Sequence, residues 1–132
     1  MSWQLAAGER EAILALSARE RYGLCVQLAV DAEELWGLRN PDGWVLAEDS
    51  GRDAFPLWPH AEFAAACADG DWTGAVAEAI GLEELLHELL PILTEDGVAV
   101  AAFPAPGGDG LIVSPDSLRR DLEAEIELGE AG

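Results

Sequence analysis

Apolar residues recur along the chain with two different periods, and the changes of period mark its elements. Residues Ala6 to Leu16 predict a short helix with Ile13, Leu14 and Leu16 on its apolar side. Ser17, with Glu20 three positions on, is a capping-box pattern, so a second helix should start at Ala18. Tyr22, Cys25, Val26 and Ala29 then recur at spacings of three and four, which gives that helix one buried face and an end near Val30 or Asp31. The period next shortens. Leu35 to Arg39 and Trp44 to Glu48 are short, aromatic and strand-like, and Asn40-Pro-Asp-Gly43 between them is hairpin chemistry. Trp36 with Leu38, and Trp44 with Leu46, would share one buried sheet face. After a polar loop over 49–53 comes a third strand, Ala54 to Trp58, completing an expected three-stranded meander. Pro56 cannot donate to a ladder, which predicts an edge position or a bulge for that strand.

Pro59 suits the first position of a helix carrying Phe63, Ala66 and Cys67, closed by Asp69 and Gly70. Ala75 to Ile80 reads as a short strand. Leu82, Leu85, Leu86, Leu89 and Leu90 form an amphipathic stripe with Glu83, Glu84, His87 and Glu88 opposite, and Pro91 should kink or end that helix. Val98 to Phe103 is continuously apolar, as for a strand buried on both faces. A Pro/Gly-rich loop from Pro104 to Gly110 turns it into a hairpin with Leu111 to Val113. Ser114 followed by Pro115 is an N-cap with proline behind it, opening a last helix to about Leu128 on a stripe of Leu118, Leu122 and Ile126. Together these elements predict an α+β fold, a mostly antiparallel sheet of five or six strands with helices packed on it. Long crossovers leave room for a parallel pair. The 132 residues fit a single domain, 1–132, with 129–132 frayed.

Composition narrows the function more than it narrows the fold. Half the residues are apolar, enough for a core, and no apolar run is long enough for a membrane helix. The start of the chain has no basic region leading into an apolar stretch, so a cytoplasmic location is expected. There are 26 acidic residues against seven basic ones, all Arg, for a net charge of −19. Nucleic acid and anionic membranes both require a cationic surface, so neither is an expected partner. Such a charge reads first as solubility; the alternative is a surface that attracts a basic protein partner, and oligomeric state is left open.

Little in the chain is arranged for chemistry. Cys25 and Cys67 lie in apolar stretches and form no Cys-x-x-Cys pair, and no His or Cys stands at zinc spacing, so no metal and no cofactor is expected. Gly107 to Gly110 lacks the Lys and Ser/Thr of a phosphate loop. The acidic face of the last helix lacks a calcium-loop pattern. His87 faces solvent among glutamates. The best constellation is Trp36, Trp44, Trp58 and His60 with the carboxylates Glu48 and Glu62. A neutral His60 beside a carboxylate is the arrangement of a general base. The same residues equally describe a sheet core of tryptophans and a histidine that packs on them or caps its helix.

The succession Glu34-Leu-Trp-Gly-Leu-Arg-Asn40, Asp42-Gly-Trp-Val-Leu46 and Phe55-Pro-Leu-Trp-Pro-His-Ala-Glu-Phe63 through Cys67 is distinctive. With Leu89-Leu-Pro-Ile-Leu93 and Val100-Ala-Ala-Phe-Pro-Ala-Pro106, it resembles a bacterial family known as domain of unknown function 2750, over about Glu9 to Glu127. The resemblance implies a small cytosolic domain and no particular reaction. Two functions therefore stand: a non-catalytic interaction or regulatory module with an acidic surface, toward which the missing catalytic set leans, or a small-molecule-binding or enzymatic domain at the Trp/His60 region.

Overall fold

Ser17 and Glu20 exchange the two hydrogen bonds of a capping box. The Ser17 hydroxyl accepts from the Glu20 N–H at 3.1 Å, and the Glu20 carboxylate accepts from the Ser17 N–H at 3.0 Å. Helix α2 accordingly runs Ala18–Ala32, after a one-and-a-half-turn α1, Glu9–Leu14. The structure is a computed structural model that describes residues 8–108 and 110–131, with side chains as far as 129. The N-terminal stretch read for a leader, residues 6 and 7 of the first helix, and the last residue of the expected frayed tail lie outside the described residues. No helix among the described residues is long and apolar enough to cross a membrane.

Among the described residues seven strands follow, in two sheets rather than one. Strands β1 (Glu34–Asn40), β2 (Gly43–Trp44) and β5 (Val76–Gly81) form an antiparallel sheet in the order β2-β1-β5. Strands β3 (Ala47–Asp49), β4 (Arg52–Leu57), β6 (Ala99–Ala102) and β7 (Leu111–Val113) form the other, in the order β3-β4-β6-β7. Within it β4 and β6 are parallel, and the other pairs are antiparallel.

The α+β class therefore holds, whereas the expected single sheet and its three-stranded meander do not. The hairpin forms at Asn40↔Gly43, with the Asn40 side chain accepting from the Asp42 N–H at 2.9 Å. After the Val45 N–H bonds the Leu38 carbonyl, the chain leaves the first sheet and enters the second as β3. Leu46 sits at that crossing and is 43 % exposed, so it shares no buried face with Trp44.

The expected edge position for Pro56 is also corrected: β4 is an interior strand. Backbone alternation explains how proline fits. The Leu57 carbonyl accepts from the Phe103 N–H, so residue 57 faces β6, and residues 56 and 58 face the other way. On that side β3 ends at the Ala47↔Ala54 pair, and Pro56 falls beyond it, where no ladder needs its N–H.

Among the described residues, one backbone bridge joins the two sheets. Trp36 and Trp58 form an isolated antiparallel bridge, Trp36 N–H to the Trp58 carbonyl at 2.7 Å and Trp58 N–H to the Trp36 carbonyl at 2.8 Å. The main core gathers around this joint, with Trp58, Phe63, Phe103, Leu35, Leu38 and Leu57 among its largest fully buried side chains. Helix α2 and the C-terminal helix α6 (Pro115–Ala131) pack against the second sheet, and α3 (Ala61–Ala66) against the first. Ser114 caps α6 as its spacing predicts, accepting from the Ser117 N–H at 3.0 Å.

One helix boundary differs from expectation, and of the two outcomes expected at Pro91, a kink or an end, the end does not occur. Helix α3 begins at Ala61, with His60 rather than a residue before Pro59 as its cap. Pro91 does not end its helix. Residues 82–96 run on as α4 (Leu82–Glu84), a π turn (Leu85–Leu89) and α5 (Leu90–Asp96), closed by Gly97 at φ +72°. A proline ring collides with the carbonyl four residues back and offers no N–H to it, and the wider π turn relieves both problems.

Trp58 should therefore be a residue that the fold cannot lose. Trp58→Ala is expected to cost ~3–5 kcal/mol in denaturant unfolding, as for other buried aromatics cut to alanine. Trp58→Phe, which keeps most of the packing and loses the indole donor, should cost about 1–2 kcal/mol. A Trp58→Ala protein of unchanged stability would contradict this placement.

Candidate functional site

Beyond the ends of the parallel pair, three segments are tied together by polar bonds inside an apolar core. Trp58 is 0 % exposed, and its Nε1–H donates to the Pro104 carbonyl at 2.9 Å. The Cys67 thiol donates to the same carbonyl at 3.4 Å. The oxygen can meet both donors because Phe103, at the end of β6, holds a left-handed φ of +52°, which costs a residue with a Cβ about 1–2 kcal/mol. What holds Phe103 there is a set of contacts. Its N–H donates to Leu57, its ring packs on Phe63 at 4.8 Å between centroids, and Arg21 Nε donates to its carbonyl at 3.2 Å.

Arg21 is only 6 % exposed and also donates to the Leu16 carbonyl at 2.6 Å. It thereby ties the turn before α2 to the end of β6. Sequence reasoning missed this residue, although a signal was present. Arg21, Cys25 and Ala29 follow one another at intervals of four, so the arginine interrupts the buried stripe of α2. A second link joins α2 to α6, where the Tyr22 hydroxyl donates to the Asp121 carboxylate. Burial and then this bond push the Tyr22 phenol well above its ordinary value.

The six candidate residues are spread across this frame. Trp36 and Trp58 meet through their backbones at the sheet joint. Trp44 is half-buried against Phe55, with 5.6 Å between ring centroids, and the Arg39 guanidinium lies 5.1 Å from its ring. Its indole crosses Gly37, where a Cβ would stand 2.9 Å from the ring, so glycine is what admits it. His60 caps α3, its Nδ1 accepting from the Glu62 N–H at 3.0 Å, and its ring meets Phe63 edge-on. The Glu62 side chain is exposed at the first turn of α3. Glu48 lies apart from these, on β3.

Glu48 does line a cleft of about 300 Å³. Its walls come from β3 (Ala47, Glu48, Asp49), from the segment after α3 (Cys67, Asp69, Trp72) and from Pro104, Ala105, Gly107, Gly108 and Gly110, with Ala101 and Ile112 of β6 and β7 completing it. Trp72 is held against Trp58, edge to face at 6.2 Å. Gly110 lies this close to the end of β6 because it has no side chain: a Cβ there would stand 2.5 Å from the Ala102 carbonyl oxygen. The cleft was not anticipated. Its lining is gathered from strands, a loop and a short 3-10 turn (Gly70–Trp72) that are remote in sequence.

The sulfur at its edge is no thiolate. Burial pushes the Cys67 thiol up to about 11, and the Cys25 thiol, also free and buried, up to about 12. Both stay protonated at neutral pH and are poor nucleophiles there. His87 pairs at 3.2 Å with Glu83 on an exposed helix face. No group of three or more metal-binding side chains converges among the described residues.

These features describe an α+β protein of two sheets joined at one aromatic bridge, with a carboxylate-walled cleft beside the joint. The chain belongs to the family described as "Protein of unknown function (DUF2750)", whose model matches residues 22–122. That span holds every residue lining the cleft, and Arg21 falls just before it. No curated protein and no solved structure matches the chain.

The capping role of His60 can be separated from a chemical one. His60→Ala should lower unfolding free energy by about 1 kcal/mol, and His60→Asn, which retains an accepting side chain, should recover most of it. Denaturant melts at pH 7.5 measure both. Equal stability of wild type and His60→Ala would remove the cap as the reason for this histidine.

Proposed function

We propose that this chain is a cytoplasmic, non-catalytic interaction module whose acidic surface receives a basic protein partner. The observation that carries the reading is the imbalance of surface charge. Of the seven arginines, Arg21 is buried, and Arg39 and Arg119 pair with Glu78 and Asp116, each at 3.3 Å. Arg10, Arg19, Arg52 and Arg120 stay exposed, too few to balance 26 acidic residues, and carboxylates such as Glu123 and Glu127 of α6 lie at the surface. Surface charge of one sign steers an oppositely charged partner and raises its association rate. The engagement of Trp58 and His60 in structural bonds supports a non-catalytic role for the aromatic region.

The reading is tested by affinity capture from the native host with the intact chain, eluted by a salt gradient. A stoichiometric partner of basic pI is expected, binding roughly tenfold or more weakly at about 0.5 M salt than at about 0.1 M. A partner of acidic pI held independently of salt would overturn the proposal. So would turnover of a small molecule that His60→Ala abolishes, which would instead favour a ligand or enzyme site at the Trp/His60 region.

A further inference from the structure

The cleft beside the sheet joint has a size, a shape and a charge that together select an occupant. About 300 Å³ is at the small end of ligand sites, so it admits one side chain or a molecule of that size and not a helix or a strand. Its aromatic wall, Trp72, is fixed by Trp58 behind it. The wall that begins at Pro104 and Ala105 is anchored where Pro104 accepts from both Trp58 and Cys67. The cleft is thus preformed, and an occupant would not have to order it. Ala47 and Ala101 contribute methyl groups only, which leaves the space open. Three carboxylates line it, Glu48, Asp49 and Asp69, and no basic side chain does so among the described residues.

From this charge complementarity we infer that the cleft accepts an arginine side chain of the basic partner. The inference rests on the function proposed above and gives that partner a point of attachment. A guanidinium is planar, stacks on an indole and offers forked donors to carboxylates, whereas an anion would meet three like charges. Recognition is non-covalent, and the backbone beside the arginine would run across the mouth of the cleft.

The experiment is an NMR titration of the intact, ¹⁵N-labelled chain with N-acetyl-arginine amide. N-acetyl-citrulline amide, of the same shape and uncharged, is the control. Arginine should shift the Trp72 indole N–H and the amides of Gly107, Gly108 and Gly110 saturably, and citrulline should bind at least about tenfold more weakly. Glu48→Gln with Asp69→Asn, both at exposed positions, should leave the melting temperature within a few degrees and weaken arginine binding about tenfold. Equal binding of citrulline, or arginine binding unaffected by the double substitution, overturns the cleft as an arginine site. Shifts confined to the acidic face of α6 also overturn it and leave the basic-partner reading standing. Absence of any shift, together with failure to capture a basic partner, removes both.

Discussion

Two backbone hydrogen bonds between Trp36 and Trp58 link two sheets that share no other ladder among the described residues, and one from the Trp58 indole to Pro104 extends the pairing of β4 with β6. The bridge joins a three-stranded sheet to a four-stranded one, and the indole bond then fixes the exit of β6 relative to β4. Such bonds matter more than their number suggests because they are buried: a peptide carbonyl or an indole N–H left without a partner in a core costs far more than the same group at a surface. The left-handed turn at Phe103 follows from the same constraint. It is an unfavourable conformation for a phenylalanine, and it places the Pro104 oxygen where Trp58 and Cys67 both reach it.

This dependence explains which parts of the fold were legible in the sequence. Local rules carried far. Ser17 with Glu20, the Asn40-Pro-Asp-Gly43 turn and Ser114 before Pro115 each act on neighbours within a few residues, and each forms as its chemistry predicts. The apolar run ending at Phe103 is a buried strand because only burial on both faces suits it. The partition into two sheets was not legible. A period of two says which side chains share a face and nothing about which strand lies alongside, so Leu35 to Trp58 looks like one meander. Pro56 misled for a related reason. Its missing N–H matters only on the side it faces, and that side is set by the nonlocal bond from the Phe103 N–H to Leu57 and lies beyond the end of β3. At Pro91 a rule about regular α-helices met a π turn.

The candidate site shows the same division. The tryptophans and His60 stood out by residue type, and the structure engages Trp58 and His60 in particular bonds: an indole donor and a helix cap. The cleft escaped notice because its carboxylates, Glu48, Asp49 and Asp69, are ordinary surface residues in sequence and come together only where β3, the segment 67–72 and Pro104 after β6 converge. Glu48 alone belongs to both sets. Structure and charge are therefore linked through one place: the joint that holds the sheets also anchors Trp72 and Pro104, two walls of the cleft.

Native-state hydrogen exchange tests the joint most directly. If the Trp36–Trp58 bridge and the Trp58–Pro104 bond are integral to the fold, the amides of Trp36 and Trp58 and the indole N–H of Trp58 exchange only through global unfolding, with the same free energy and denaturant dependence as the amide of Val100 in the buried strand β6. Exchange of these three protons through a local opening, orders of magnitude faster than Val100, would mean that the sheets are held together elsewhere and that Trp58 is not the structural joint described here.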